Sequence, residues 1–203
     1  MTRPRRPARL TRARILEAAR RELGRDPDSS LTDIAEAAGV VRRTVYGHFA
    51  GRSALVEGLA TEAAEALRGA LAAVATRAPD ADAATALRHF VLALWPVGDR
   101  YRILLRLTPQ DLGTARADEI LAPARDLATA IIERGQQEGV FQTGIPPAPL
   151  ARALEKLLLA LLDCVNAGTW SDDGTHSARA ALIAVGAERS AKRVIAGRAS
   201  PAE

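Results

Sequence analysis

The sequence predicts an all-α protein of about nine helices, and three observations support this fold class. Hydrophobic residues make up 48% of the chain but aromatic residues only 3%. The apolar content is therefore mostly Leu and Ala, which favour helices, whereas strands are enriched in β-branched and aromatic residues. Apolar residues also recur at helical spacing, and no alternating strand pattern stands out.

The first predicted helix runs from Leu10 to Gly24. Its apolar residues Ile15, Leu16, Ala19 and Leu23 follow one another at spacings of three and four, which places them on one face. This stripe is the predicted contact of the helix with the core.

Two short helices follow. Ser30 is predicted to cap the helix Leu31–Ala38, and Asp33 completes a capping box. Gly39 ends that helix because it lacks Cβ and accepts a positive φ. A second short helix is predicted over Arg42–Phe49.

The remainder of the chain is also predicted to be helical. Pro96 and Gly98 are expected to interrupt the fifth helix. The predicted helices are Arg52–Ala78, Ala83–Trp95, Asp99–Leu107, Asp118–Glu138, Leu150–Gly168 and His176–Ala196.

Basic charge is concentrated near the N-terminus. The formal net charge is +4, yet before residue 26 only Glu17 and Glu22 oppose a large excess of Arg. Such clustering indicates a polyanionic partner. We expect residues 1–8 to form a disordered basic arm.

The segment 31–49 has the spacing of a helix-turn-helix. A small residue, Ala35, precedes the turn glycine Gly39 by four positions, and apolar residues surround both. In this motif the second helix enters the DNA major groove. An ordinary helical hairpin is the alternative. The exposed candidates for DNA contact are Arg42, Arg43, Thr44, Gly47 and His48.

The same segment resembles the DNA-binding domain of the TetR family of repressors over residues 10–59. The matching blocks are Arg14–Ala19, Thr32–Val40, Thr44–Phe49 and Arg52–Leu55. The resemblance implies phosphate contacts from Tyr46 and His48 and a base or phosphate contact from Thr44. It also implies a phosphate contact from Arg52, where the family usually has Lys.

Two residues depart from the family pattern. Val41 stands where the family usually has Ser or Thr, and it cannot cap the recognition helix. Gly47 lies inside that helix and removes a side chain that often reads a base. These departures keep open an alternative, a degenerate member that binds a ligand or protein without specific DNA binding.

The last two helices predict a homodimer. The middle of the eighth helix is apolar all round and therefore needs partners on both sides. The last helix carries a stripe of small residues, Ala180, Ala184, Ala187 and Ala191. A four-helix bundle between two copies fits both features, and an intramolecular core is the alternative. We expect a DNA-binding domain over 1–55 and a ligand-binding and dimerisation domain over 56–203.

The resemblance further implies that a small-molecule effector binds among helices five to eight and releases the protein from a palindromic operator. A structural role is the favoured alternative for each candidate for that site, and Cys164 is expected to be a core residue. The candidates are His89, Phe90, Trp95, Arg102, Asp163, Cys164 and Asn166.

Enzymatic and membrane roles are not expected. His48, His89 and His176 lie in separate segments, and no phosphate loop or metal-ligand spacing is present. We therefore expect no catalytic residue, metal or cofactor. The longest apolar run, Leu157–Leu162, is too short to span a bilayer, and no apolar segment follows the Arg-rich start. A cytoplasmic protein is expected.

Overall fold

The computed structural model describes residues 6–77, 81–107 and 113–187. These described residues form nine helices and no strand, which confirms the predicted fold class. The helices are α1 (Arg6–Arg25), α2 (Leu31–Ala37), α3 (Arg42–His48), α4 (Arg52–Arg77), α5 (Ala83–Tyr101), α6 (Ile103–Leu107), α7 (Thr114–Gln137), α8 (Pro147–Asn166) and α9 (Thr175–Ala184).

The start of α1 differs from the prediction. The helix begins at Arg6 instead of Leu10, so residues 6–8 are not part of a disordered arm. The rest of the predicted arm, residues 1–5, lies outside the described residues. The predicted stripe is confirmed, because Ile15, Leu16, Ala19 and Leu23 are fully buried.

Helix α5 continues through Pro96 to Tyr101, so the predicted interruption is wrong. Proline removes one hydrogen bond of the helix, but packing on both sides of it holds the backbone in place. Trp95 is buried. A Cβ added to Gly98 would lie 2.8 Å from Leu162 Cδ1, which shows how closely α8 packs there.

Helix α9 ends at Ala184, well before the predicted Ala196. Gly186 has a φ of 81° and closes a Schellman motif. Its N–H donates to Ile183 O at 2.9 Å, and the N–H of Ala187 donates to Leu182 O at 2.8 Å. Ala187 therefore lies in the turn and does not extend the predicted Ala stripe, whose last member, Ala191, lies outside the described residues.

One compact unit comprises the described parts of Met1–Ala64 and Ile103–Ile120. It extends further along α4 than the predicted boundary at residue 55, and it also takes in α6 and the first turns of α7. Its largest fully buried side chains come from α1, α2, α3, α4 and α6: Ile15, Leu16, Leu23, Ile34, Val45, Leu55, Leu59 and Leu107.

A second compact unit comprises the described parts of Glu65–Arg102 and Leu121–Glu203. Within it α5 packs against α8 and α9. Arg125 of α7 and Glu155 of α8 form a mostly buried ion pair of 2.7 Å. Nowhere in the described part of the chain is a helix long and apolar enough to cross a membrane.

Candidate nucleic-acid interface

The start of α2 is fixed by the predicted capping box. Ser30 Oγ accepts hydrogen bonds of 3.2 Å from the N–H groups of Thr32 and Asp33. Asp33 Oδ2 in turn accepts the N–H of Ser30 at 2.8 Å. These bonds, above all the one from the Ser30 backbone, lower the pKa of Asp33. The first helix of the motif therefore begins at one defined residue.

The turn between α2 and α3 depends on Gly39, whose φ is 62°. The N–H of Gly39 donates to Glu36 O at 2.9 Å, and that of Val40 donates to Ala35 O at 3.0 Å. Ala35 is buried, as expected of the small residue at this approach of two helices. This turn sets the direction in which α3 leaves α2.

The inner face of α3 is anchored by Val45, which is fully buried, and by Phe49, which is buried directly after the helix. The guanidinium carbon of Arg12 lies 5.1 Å from the centre of the Phe49 ring. A Cβ on Gly58 of α4 would lie 2.8 Å from Phe49 Cε1 and 3.0 Å from Leu16 Cδ2. Gly58, which sequence analysis missed, thus permits the close packing that supports α3.

The outer face of α3 presents Arg42, Arg43, Tyr46 and Gly47 to solvent, while Thr44 and His48 are half-buried. Arg42 Nη2 donates to Tyr46 Oη at 3.2 Å. The Arg42 guanidinium carbon also lies 5.3 Å from the centre of the Tyr46 ring. This hydrogen bond raises the pKa of Arg42. Cationic and hydroxyl donors suited to phosphate and base edges are thus held together.

Both departures from the family pattern are visible on α3. Val41 is its N-cap residue and makes no side-chain capping bond. Its side chain is 68% exposed. A Cβ on Gly47 would meet no atom within 4 Å, so its missing side chain is not required by packing.

Arg52 donates hydrogen bonds to two backbone carbonyl groups within the first unit. Its Nη1 donates to Ser29 O at 2.8 Å. Its Nη2 donates to Pro27 O. The guanidinium therefore joins the start of α4 to the loop between α1 and α2.

An ion pair within the first unit was not predicted. Arg116, in the first turn of α7, donates from Nη2 to Glu57 Oε1 of α4 at 2.8 Å and from Nη1 to Glu119 Oε2 at 3.2 Å. The bond to Glu57, followed by that to Glu119, raises the pKa of Arg116. Glu57 and Arg116 are too far apart in sequence for any periodic signal to indicate their contact.

The residues predicted to bind an effector have differing environments. Trp95 is buried, and its Nε1 donates to Asp172 O at 3.0 Å. Asn166 Nδ2 donates to Arg102 O at 3.1 Å, and Arg102 Nη1 pairs with Asp99 Oδ1 at 2.6 Å. These side chains have structural partners.

The other predicted effector residues range from buried to exposed. Phe90 is buried, His89 half-buried and Asp163 exposed. Cys164 is exposed, so its prediction as a core residue is wrong: the buried face of α8 is formed by Leu150, Leu154 and Leu162. Among the described residues, no group of three or more His, Cys, Asp or Glu side chains is arranged to hold a metal ion.

Comparison with known proteins identifies a family for the segment that contains the helix-turn-helix. Residues 15–59 match the family described as bacterial regulatory proteins, tetR family. This span contains α2, the turn and α3. Among curated proteins none matches the chain.

Solved structures similar to this chain include two transcriptional regulators and one further protein. The TetR-family regulator PfmR from Thermus thermophilus is 21% identical, with a TM-score of 0.66 over 85% of this chain and 94% of that one. FadR from Bacillus subtilis, in complex with stearoyl-CoA, is 16% identical, with a TM-score of 0.68 over 86% and 98%. RolR in complex with resorcinol is 22% identical, with a TM-score of 0.53 over 97% of each chain.

At these identities the solved structures show the fold, while the family match identifies the helix-turn-helix segment. The family consists of transcription regulators, so the prediction that the chain is not an enzyme is confirmed. Residues 15–59 therefore carry the DNA-binding segment of the TetR family of bacterial regulatory proteins, and the chain shares the fold of solved TetR-family regulators.

Proposed function

We propose that this DNA-binding regulator is a repressor that binds a palindromic operator as a homodimer and is released by a small-molecule effector. The observation that carries the proposal is the outer face of α3, where Arg42, Arg43 and Tyr46 are exposed together. Arg43 and Thr44 are proposed to reach base edges, and Tyr46 and His48 to contact phosphates. The proposed binding of DNA agrees with the predicted cytoplasmic location of the protein.

Dimerisation is supported by apolar side chains left uncovered on the last two helices. Leu157, Leu158 and Leu161 of α8 are only half-buried, and Ile183 of α9 is 50% exposed. A second copy packed on these helices would remove this surface from water, which favours association. Two copies then present two recognition helices to half-sites about 34 Å apart, one turn of DNA.

Release by an effector is supported by the ligands of two similar structures, stearoyl-CoA in FadR and resorcinol in RolR. For this chain the proposed ligand site includes His89 and Phe90, with Arg102 and Asn166 as the polar candidates. Trp95, Asp163 and Cys164 complete the set. Because coupling is reciprocal, an effector that lowers operator affinity must bind the operator complex more weakly than the free protein by the same factor.

The test of DNA recognition is selection from random duplex DNA at near-physiological salt, followed by affinity measurements across a salt series. We expect a palindromic motif for the wild type. Arg43→Ala should weaken binding by about 1 to 3 kcal/mol and relax selectivity at the base position that Arg43 contacts, because a base contact is lost. Arg152→Ala, an exposed Arg of α8, is the matched control and should leave affinity and selectivity unchanged.

A second candidate function is favoured by Val41 and Gly47, namely a family member that binds a ligand without specific DNA binding. It predicts no enriched motif and the same result for Tyr46→Ala as for the wild type.

The proposed homodimer is tested by the molar mass in light scattering, which separates a dimer from the 21.5 kDa monomer. Leu157→Glu should shift the mass towards the monomer.

A further inference from the structure

We infer that Val41 is a specificity-determining residue that reads thymine through its 5-methyl group in the major groove. The inference rests on the proposed sequence-specific binding of DNA and names one base that the operator half-site should contain. At 68%, Val41 is the most exposed large hydrophobic side chain in the described part of the chain.

The backbone position of Val41 suits a base contact. It precedes α3 directly, and the N-terminal residues of a recognition helix are those that reach base edges. Its φ of −75° and ψ of 148° are extended. Its carbonyl oxygen accepts the N–H of Thr44 at 2.8 Å, which fixes the peptide relative to the helix. A β-branched side chain has few rotamers, so its two methyl groups are held in place before DNA arrives.

The surroundings of Val41 indicate which partner covers it. The next two residues, Arg42 and Arg43, are exposed cations, so a neutral apolar protein surface would have to desolvate them. Duplex DNA satisfies both requirements, since phosphates attract the cations and the major groove carries one apolar group, the thymine methyl.

The rest of α3 increases the importance of this contact. Gly47 is exposed and offers no side chain to the groove. Contacts between side chains of α3 and base edges are therefore concentrated at the start of the helix. There Val41 stands in the place of the usual capping residue, Ser or Thr. The apolar contact with thymine would compensate for the capping hydrogen bond that Val41 does not make.

The test uses the operator selected by the wild-type protein. Each thymine is replaced singly by 2′-deoxyuridine, which removes only the 5-methyl group, and the dissociation constant is measured at constant salt. We expect one thymine in each half-site at which the replacement weakens wild-type binding about fourfold, the effect of exposing one methyl-sized group. Val41→Ala should bind the thymine and deoxyuridine operators equally at that position.

Leu10→Ala is the matched control, because Leu10 is another apolar side chain, 66% exposed, outside α3. It should keep the fourfold difference of the wild type. A selected operator with no thymine sensitive to methyl removal, or a sensitivity that persists in Val41→Ala, would overturn this inference and leave the proposed function intact. Failure of the wild type to select any sequence would overturn both. Thermal unfolding of each variant verifies that the fold is retained.

Discussion

The guanidinium of Arg52 donates a hydrogen bond of 2.8 Å to the carbonyl oxygen of Ser29. A second bond from the same group goes to Pro27 O. Ser29 is itself held, since its Oγ donates to Asp26 O at 2.8 Å. One side chain of α4 therefore satisfies two carbonyl groups in the loop that leads into the helix-turn-helix.

Replacing Arg52 by Ala should lower the free energy of unfolding by about 1 to 2 kcal/mol, because two loop carbonyls lose a charged donor. Arg52→Lys should recover only part of this, since an ammonium group lacks the planar fork that spans both oxygens. Urea denaturation measures the change. Arg43→Ala, at an exposed position on α3, is the control and should leave stability unchanged. Weakened DNA binding with wild-type stability in Arg52→Ala would instead support a phosphate contact.

Gly47→Ala should stabilise the protein by about 1 kcal/mol, because alanine is the better helix former and its Cβ would meet no atom within 4 Å. Gly58→Ala should do the opposite, since its Cβ would lie 2.8 Å from Phe49 Cε1. We expect a loss of about 1 to 3 kcal/mol from this overpacking. Thermal unfolding of the two variants side by side tests the comparison, and equal shifts would contradict it.

Acid should weaken the second unit through Asp172, whose side chain is fully buried at the start of α9. Its carboxylate accepts the N–H groups of His176 at 3.1 Å and Ser177 at 2.9 Å. Burial alone would raise the pKa of Asp172, but these hydrogen bonds outweigh it and the pKa is lowered. The stability contributed is therefore complete above the unfolded value of 3.8 and is lost as pH falls through the lower folded value.

Asp172→Asn isolates this contribution, because the amide keeps the shape but can accept only one of the two N–H groups well. The variant should be less stable than the wild type at neutral pH, and the difference should shrink as the pH falls below about 4. Denaturant unfolding over a pH series provides the measurement. Asp163→Asn, at an exposed position of α8, should follow the wild-type pH profile. A difference for Asp172→Asn that stays constant with pH would be inconsistent with the proposed linkage.

The ion pair between Glu57 and Arg116 should hold the first turn of α7 against α4. Glu57→Gln is expected to change the free energy of unfolding by less than about 1 kcal/mol, because both side chains are partly exposed. Hydrogen exchange at residues 114–120 should nevertheless become faster. Glu36→Gln, at an exposed site on α2, is the control. Arg116→Gln added to Glu57→Gln should have little further effect if the two residues act through each other.

The helix-turn-helix was predictable because its determinants are close together in sequence. Ser30 and Asp33 form the capping box across three residues, and Gly39 ends α2 through its own positive φ. The buried stripe of α1 likewise follows from helical periodicity. Val41 was recognised as a residue that cannot cap α3, and the structure shows no side-chain capping bond there.

Features that depend on residues distant in sequence were not predictable. Local sequence is sufficient to define where most helices lie, which face of α1 is buried and how α2 turns into α3, because these depend on propensities and contacts within a few residues. Four features are visible only in the folded chain: Arg52 binds loop carbonyls, α5 continues past Pro96, Cys164 is exposed and Arg116 pairs with Glu57. Each of these outcomes is set by packing between separate helices and loops, and local sequence pattern carries no information about which distant group will be the partner.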